Sequence, residues 1–213
     1  SPQTIGAIAG RNVDHLFDPE RKTAIHQWHV DNGAEFEDVG QWKRPHYFPQ
    51  KNENIHDAVN RECKAVRNSL GILDASTLGK IDLQGPDVAK FLNLIYTNAW
   101  SKLEVGSCRY GLMCNEHGMV FDDGVTTRIS ENRYHMTTTT GGAARVMSWL
   151  EEFLQTEWLD MEVFCTSVTE QWTVLSVSGP NSREFLSSLT DIDISKEAFP
   201  FMKMKEGTVC GID

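Results

Sequence analysis

An α+β fold built on antiparallel sheet is what this sequence predicts, and three observations carry the prediction. The segments "IDLQGPDVAKFLNLI" (81–95) and "LSVSGPNSREFLSSL" (175–189) echo each other, each running from a β-like stretch through Gly-Pro into a helix. Between them, two alternating stretches flank a turn-rich tetrapeptide, the pattern of a β-hairpin. Consecutive strands are joined by short turns and not by crossover helices, so antiparallel pairing ranks above the alternative of a parallel α/β sheet. The expectation is a split β-α-β unit used twice in one antiparallel-containing sheet.

The elements follow in chain order. Residues 1–54 mix Gly, Pro, charges and isolated aromatics (Trp28, Phe36, Trp42, Tyr47, Phe48) without a sustained period, which predicts an N-terminal arm pinned on the domain by its rings. The main domain is expected over 55–213. It opens on a helix whose stripe is Ile55, Val59, Cys63, Val66 and Leu70, with Asn54 available as the cap and Gly71 just past the end. A strand over Leu78 to Leu83 leads into the first Gly-Pro unit, where Pro86, like Pro180 in the second, suits a first helical turn. "CRYGLMCN" and "MVFDDGVTTR" form the hairpin around Asn115 to Gly118, and "RYHMTTTT" supplies a third strand. A helix starting near Gly141-Gly142 then carries Val146, Met147, Leu150, Phe153 and Leu154 on a core-facing stripe.

Composition excludes several function classes. The formal net charge of −10 repels a phosphate backbone, so no nucleic acid partner is expected. No segment reaches the ~18 consecutive apolar residues of a membrane helix, and no secretory signal opens the chain, so a soluble, membrane-free protein is expected. Five cysteines, odd in number and without CxxC spacing, read as free thiols of a reducing compartment, the cytoplasm. No third ligand lies near His26 and His29 at a suggestive spacing, so they read as packing histidines and no metal site is expected. Neither GxGxxG nor GxxxxGK[ST] occurs, and "GAIAGR" near the start is not such a motif.

Chemistry concentrates in the hairpin and the threonine run. Alternation places Met119, Phe121, Asp123, Val125 and Thr127 on one face and Val120, Asp122, Gly124 and Thr126 on the other. Asp123 thus lies on the bulkier apolar face, where an ionised carboxylate is costly without a partner, and it is a site candidate. The plainer reading is that it accepts backbone or arginine hydrogen bonds near Gly124, and a bulge there exchanges the roles of the two aspartates. Thr137 to Thr140 is first of all a β-former run. Its functional reading has Thr137 and Thr139 offering small polar groups to a heteroaromatic ligand, with Gly141-Gly142 allowing close backbone approach. Tyr110 and Arg109 divide similarly between core aromatic and solvated charge on one side, stacking and anion binding on the other. Leu78 reads as core.

The ordered set "GILDASTLGKIDLQGP", "IYTNAWSKLEVGSCRYGLM", "GMVFDDGVTTR", "YHMTTTTGGAARV" and "EQWTVLSVSGP" resembles the folate-binding aminomethyltransferase family, the glycine-cleavage T-protein type. Within it, "FEDVGQWKRPHYFP", "DASTLGKI" and the threonine run are most similar to the carboxy-terminal region of heterotetrameric sarcosine oxidase alpha subunits. The resemblance implies a tetrahydrofolate cleft with the family's acid at Asp123 and pocket-lining positions at Leu78, Tyr110 and Thr139. Thr139 stands where simpler T-proteins carry asparagine, and "DASTLG" replaces "DVSHMG". The family's "GYTGE" segment is expected beyond "FPFMKMKEGTVCGID", so the domain is expected to be incomplete at its carboxy-terminal end. In the intact assembly, the resemblance implies a flavin-bearing beta subunit, with flavin and NAD held outside this stretch. The implied reaction is trapping of the methylene group of oxidised sarcosine as 5,10-methylenetetrahydrofolate. The competing readings are a demethylase acting on another N-methyl or S-methyl substrate and a non-catalytic scaffold of the same fold.

Overall fold

In the computed structural model, strand β4 (Gly79–Gln84) is buried from Gly79 through Leu83 because it is paired on both edges and packed on both faces. The structure describes Pro2, Ile5 and residues 19–212. The remainder of residues 1–18, including the "GAIAGR" stretch, lies outside the described residues. The chain divides into two compact units, residues 1–63 and 64–213.

In the first unit, helix α1 (His26–Asp31) precedes an antiparallel hairpin of β1 (Glu35–Val39) and β2 (Trp42–Tyr47). The region read as an arm without period therefore carries regular elements, each of them short. Trp42 is its buried anchor, with Arg21 stacked over the indole at 4.1 Å, whereas Trp28 is exposed. The two histidines pack on rings: His26 on Phe36 at 4.7 Å, and His29, buried, beside Trp28 and Phe48. Burial holds the His26 imidazole below its ordinary value, with Lys22 and His29 acting the same way.

Helix α2 (Ile55–Asn68) starts where the sequence predicts, with Asn54 Oδ1 accepting the Asp57 amide at 3.0 Å. Its stripe does not form a buried face. Ile55, Val59 and Cys63 are exposed, and Ala58 is the helix's buried residue. Periodicity reveals which side of a helix is apolar but not whether a surface meets it. Gly71 is not a cap but the first residue of β3 (Gly71–Asp74), a strand too short to show a period.

The second unit holds two sheets. Five antiparallel strands run in the order β5-β6-β7-β4-β8, with β5 Ser107–Cys114, β6 Val120–Ser130, β7 Arg133–Thr138 and β8 Phe164–Ser167. Helices α3 (Val88–Ile95) and α4 (Ala143–Thr156) cover one face. There Ile81, Leu83, Met113, Tyr134 and Met136 meet Val88, Phe91, Leu92, Val146 and Leu150 in one core, with Met147, Phe153 and Leu154 packed at its margin. Each fully buried side chain of this size contributes about 1.5–3 kcal/mol. The hairpin turn is held by Asn115 Oδ1, which accepts the amides of His117 and Met119 at 3.1 and 3.0 Å.

The internal echo is real at the level of secondary structure. Strand β9 (Leu175–Ser178) leads into helix α5 (Ser182–Ser187) as β4 leads into α3. The glycines ahead of the two prolines have φ of +135° and +119°, and Asp87 and Asn181 cap the following helices with matching main-chain bonds to Phe91 and Phe185. The expectation of one shared sheet is not met. β9 pairs with β3 in a separate two-stranded sheet, and α5, unlike α3, has no buried residue. The Gly-Pro turn dictates strand-into-helix geometry locally, whereas the choice of partner strand depends on contacts remote in sequence. Among the described residues, no helix is long and apolar enough to cross a membrane.

Candidate functional site

Two consecutive aspartates in β6 part company because successive side chains of a strand point to opposite faces. Asp122 is buried, at 3% exposure, on the helix-covered side, and Asp123 is half-buried on the other face together with Val125 and Thr127. The bulge in this hairpin is not at Gly124. It falls at Phe121, between the pairs Met113↔Asp122 and Cys114↔Val120, and it turns Phe121 onto Trp149 of α4 at 4.7 Å. Phe121 therefore does not share the face of Asp123, as strict alternation had it, and Asp122, not Asp123, is the aspartate on the apolar, core-facing side.

Asp123 meets Tyr110 across the hairpin. The phenol donates to Asp123 Oδ2 at 2.8 Å, and that hydrogen bond, with burial and the carboxylate charge behind it, holds the Tyr110 phenol above its ordinary value. Tyr110 is 48% exposed and is not a core aromatic. Arg109, on the opposite face, donates to the carbonyl of Ala99 and lies over the Trp100 ring at 5.9 Å. It is bound into a loop and is not poised for an anion.

Between β6 and β7 the main-chain ladder runs from Ser130↔Arg133 to Thr126↔Met136 and then gives way to side chains. Thr137 Oγ1 accepts the Val125 amide and donates to the Val125 carbonyl, both at 3.0 Å. Asp122 Oδ1 accepts the amides of Asp123 and Thr139 at 2.8 and 2.9 Å, and its Oδ2 accepts the Thr139 hydroxyl at 2.8 Å. Three donors offset the cost of burying this carboxylate. A Cβ on Gly142, the residue before α4, would lie 1.8 Å from Asp122 Oδ2. The close approach that Gly142 permits is thus to Asp122, at the positive end of a helix.

This clamp was the part the sequence showed least. Alternation separated the two aspartates but set Asp123 on the apolar face, whereas Asp122 is the buried one, and its partners Thr139 and Gly142 lie remote in sequence. Thr139 and Asp123 are neighbours through Asp122, since both amides converge on one oxygen. Leu78, half-buried, precedes Gly79, which pairs with Thr138, so it lies at the same strand end as Thr139. Of the four predicted site residues, Tyr110 and Asp123 touch, Thr139 joins them through Asp122, and Leu78 borders Thr139 from the adjacent strand.

A second polar cluster lies on the same face, four residues along β6, where Thr127 pairs with His135 and His135 with Asp82. Asp82 accepts from Arg133 Nη2 and bonds His135 Nδ1, both at 2.7 Å. Burial pushes its carboxyl up, but these two partners outweigh that and hold it below the ordinary value. Among the described residues, no group of three or more His, Cys, Asp or Glu side chains is arranged to hold a metal.

A five-stranded antiparallel sheet with helices on one face and an acid bonded to a tyrosine on the other is the architecture on which comparison with known proteins bears. The family profile of the GCVT N-terminal domain matches residues 25–213. Sarcosine oxidase subunit alpha from Corynebacterium sp. (strain U-96) is 56% identical over 98% of this chain and 22% of its own length. The protein of that name from Rhizobium meliloti (strain 1021) is 44% identical over 99% of this chain and 22% of its own. An aminomethyltransferase from Listeria monocytogenes serotype 4a (strain HCC23) is 31% identical over 90% of this chain and 49% of its own. The glycine cleavage system aminomethyltransferase T of Bartonella henselae superposes with a TM-score of 0.69 at 23% identity, covering 79% of this chain and 43% of that one, which shows the shared fold. The chain belongs to the GCVT N-terminal domain family. It spans about a fifth of the length of its sarcosine oxidase relatives and about half that of the aminomethyltransferase.

Proposed function

We propose that this domain is the tetrahydrofolate-binding part of a sarcosine oxidase alpha subunit, and that it serves the capture of the one-carbon unit of oxidised sarcosine as 5,10-methylenetetrahydrofolate. Identities of 44–56% to proteins of that name support the assignment. The observation that carries the site is the Asp123 carboxylate, half-buried on the sheet face away from the helices and bonded by Tyr110 at 2.8 Å. The residues suit the ligand: an apolar side chain at Leu78, a half-exposed aromatic ring at Tyr110, and acceptor oxygens at Asp123 and Thr139 for ring N–H groups. When bound, a tetrahydropterin supplies nucleophilic nitrogens that shed protons as they take up carbon. Asp123 holds those N–H groups in place and receives a proton at Oδ1, the oxygen that Tyr110 leaves free. Tyr110 fixes the carboxylate's orientation, and Leu78 excludes water beside Thr139. Flavin and NAD belong, in this reading, to other parts of the assembly, the flavin to a partner beta subunit. Free thiols at all five cysteines support a reducing compartment, the cytoplasm.

The test is the partition of product in the intact enzyme. With sarcosine and saturating tetrahydrofolate, Asp123→Asn is expected to lower methylenetetrahydrofolate formation by about 10²–10⁴-fold, the range of general acid–base help. Sarcosine oxidation continues and releases free formaldehyde. An unchanged ratio of the two products removes Asp123 from the chemistry. Turnover of dimethylglycine or a sulfonium in preference to sarcosine moves the protein to the demethylases, and absence of folate binding with normal sarcosine oxidation makes the domain a scaffold.

A further inference from the structure

Lys80, the second residue of β4, is fully buried and pairs with Thr137 across the sheet. A buried ammonium is costly unless its donors are met, and an apolar side chain of similar length would fill the space without that cost. Its donors reach back along the chain: Nζ donates to the carbonyl of Ser76 at 2.7 Å and to that of Leu78 at 3.0 Å. The main chain of Lys80 is itself fixed, since its amide donates to Thr169 Oγ1 at 3.1 Å. The loop that owns the two carbonyls, residues 74–78, is the "DASTL" of the sequence, and its Asp74, Ser76 and Thr77 are buried. One side of the loop is tied to Val174, whose carbonyl accepts the Ala75 amide at 2.8 Å and whose amide donates to Ser76 Oγ at 2.9 Å. Towards the threonine run it is held by the two bonds of Lys80 and by Thr77, whose Oγ1 lies 3.1 Å from Thr140 Oγ1.

We infer that Lys80 and Thr77 are positioning residues of the candidate site, pinning the loop 74–78 so that Leu78 closes the strand end it shares with Thr139. The inference rests on the folate reading above and adds how the apolar wall of that site is held. Leu78 precedes Gly79, the first residue of the ladder, so its side chain is aimed by the loop and not by strand pairing. A Cβ on Gly79 would lie 2.1 Å from Thr138 Oγ1, so the loop enters the sheet directly beside the threonine run. The carbonyls of Ser76 and Leu78 turn to one ammonium, which fixes the peptide planes before Thr77 and after Leu78. With a neutral side chain in its place, both buried carbonyls lose that donor, and the loop turns to find another. Neither pin faces a ligand, since Lys80 and Thr77 are 0% and 1% exposed, so each acts through the side chain it aims.

The experiment is anaerobic titration calorimetry of the intact enzyme with tetrahydrofolate, joined to amide exchange of the loop without ligand. Lys80→Met keeps an unbranched side chain and removes the ammonium, and it is expected to weaken binding at least about tenfold, the scale of one misplaced apolar contact in a pocket. Thr77→Val keeps the shape and removes the hydroxyl, for a loss of at least about threefold, which Thr77→Ser restores. In a Leu78→Ala background each substitution is expected to cost less than about twofold, because the side chain it aims is gone. Exchange of the Leu78 amide, which donates to the Ala75 carbonyl at 3.1 Å, is expected to rise about tenfold in Lys80→Met. If Lys80→Met loses its circular dichroism spectrum, Thr77→Val against Thr77→Ser decides the matter. Unchanged affinity in folded variants, or equal losses in both backgrounds, overturns the inference and leaves the folate reading standing. An unchanged Leu78 exchange rate in Lys80→Met overturns the clamp whatever the affinities. A wild type that binds no tetrahydrofolate overturns the folate reading and this inference with it.

Discussion

At the scale of single residues, the carboxylates of this domain take their roles from what surrounds them. Asp82 is 5% exposed and depends on Arg133 and His135 to remain charged. Its depressed ionisation has a definite sign for stability. A carboxyl that is more acidic in the folded chain contributes stability above its ordinary value of 3.8, and loses it as the pH falls through the folded value. Asp82→Asn keeps the volume and removes the charge, so it is expected to cost about 1–3 kcal/mol at pH 7. In urea unfolding the gap between wild type and variant should shrink at pH 3, and a gap of the same size at both pH values would show that the pair contributes no linkage. The sequence offered little sign of this cluster, since a carboxylate on β4 and a histidine on β7 become partners only once register is known. The opposed faces of Asp122 and Asp123 were legible because alternation is local. The placement of Phe121 was not, because a one-residue bulge leaves no mark in a five-residue pattern.

At the scale of elements, the candidate site lies where a β-ladder stops being a ladder. Main-chain pairing of β6 with β7 ends at Thr126↔Met136, and beyond it Thr137 and Asp122 complete the bonds with side chains. That substitution leaves the Asp123 and Thr139 ends of the two strands joined through a carboxylate instead of through each other. The hydroxyl run was readable as a strand, but not as a strand whose last residues bond by their side chains. The glycines at the start of α4 separate two explanations of this region. A Cβ at Gly142 would meet Asp122 Oδ2 at 1.8 Å and Thr139 Oγ1 at 2.6 Å, whereas one at Gly141 meets nothing within 4 Å. Gly142→Ala is therefore expected to destabilise by about 1–3 kcal/mol, as overpacking does. Gly141→Ala should stay within about 0.5 kcal/mol, as surface changes do. Thermal unfolding of both variants checks this, and equal effects would mean that Asp122 moves aside freely and is not a clamp.

At the scale of the whole molecule, the two Gly-Pro units show how far a local motif reaches. Each builds strand into helix, yet the first lies in a sheet covered by α3 and α4 and the second in a two-stranded sheet whose side chains are largely exposed. Leu83 of β4 is fully buried, while in β3, the strand that pairs with the second unit, Leu73 is 57% exposed and Ile72, on the alternate face, 54%. The sequence assigned both units the same apolar pattern because both strands are apolar, and burial is a property of what lies opposite. If burial governs, the two leucines must differ in cost although their chemistry is identical. Leu83→Ala removes packed methyl groups from the core and is expected to cost about 2–5 kcal/mol. Leu73→Ala removes them from an open face and should stay within about 0.5 kcal/mol. Urea midpoints at a single protein concentration give the comparison, and a dilution series gives its control. A large, concentration-dependent cost at Leu73 would mean that the β3–β9 pair is covered in solution by a second molecule. A large cost independent of concentration would mean that the pair is packed from within the chain, against the exposure described here.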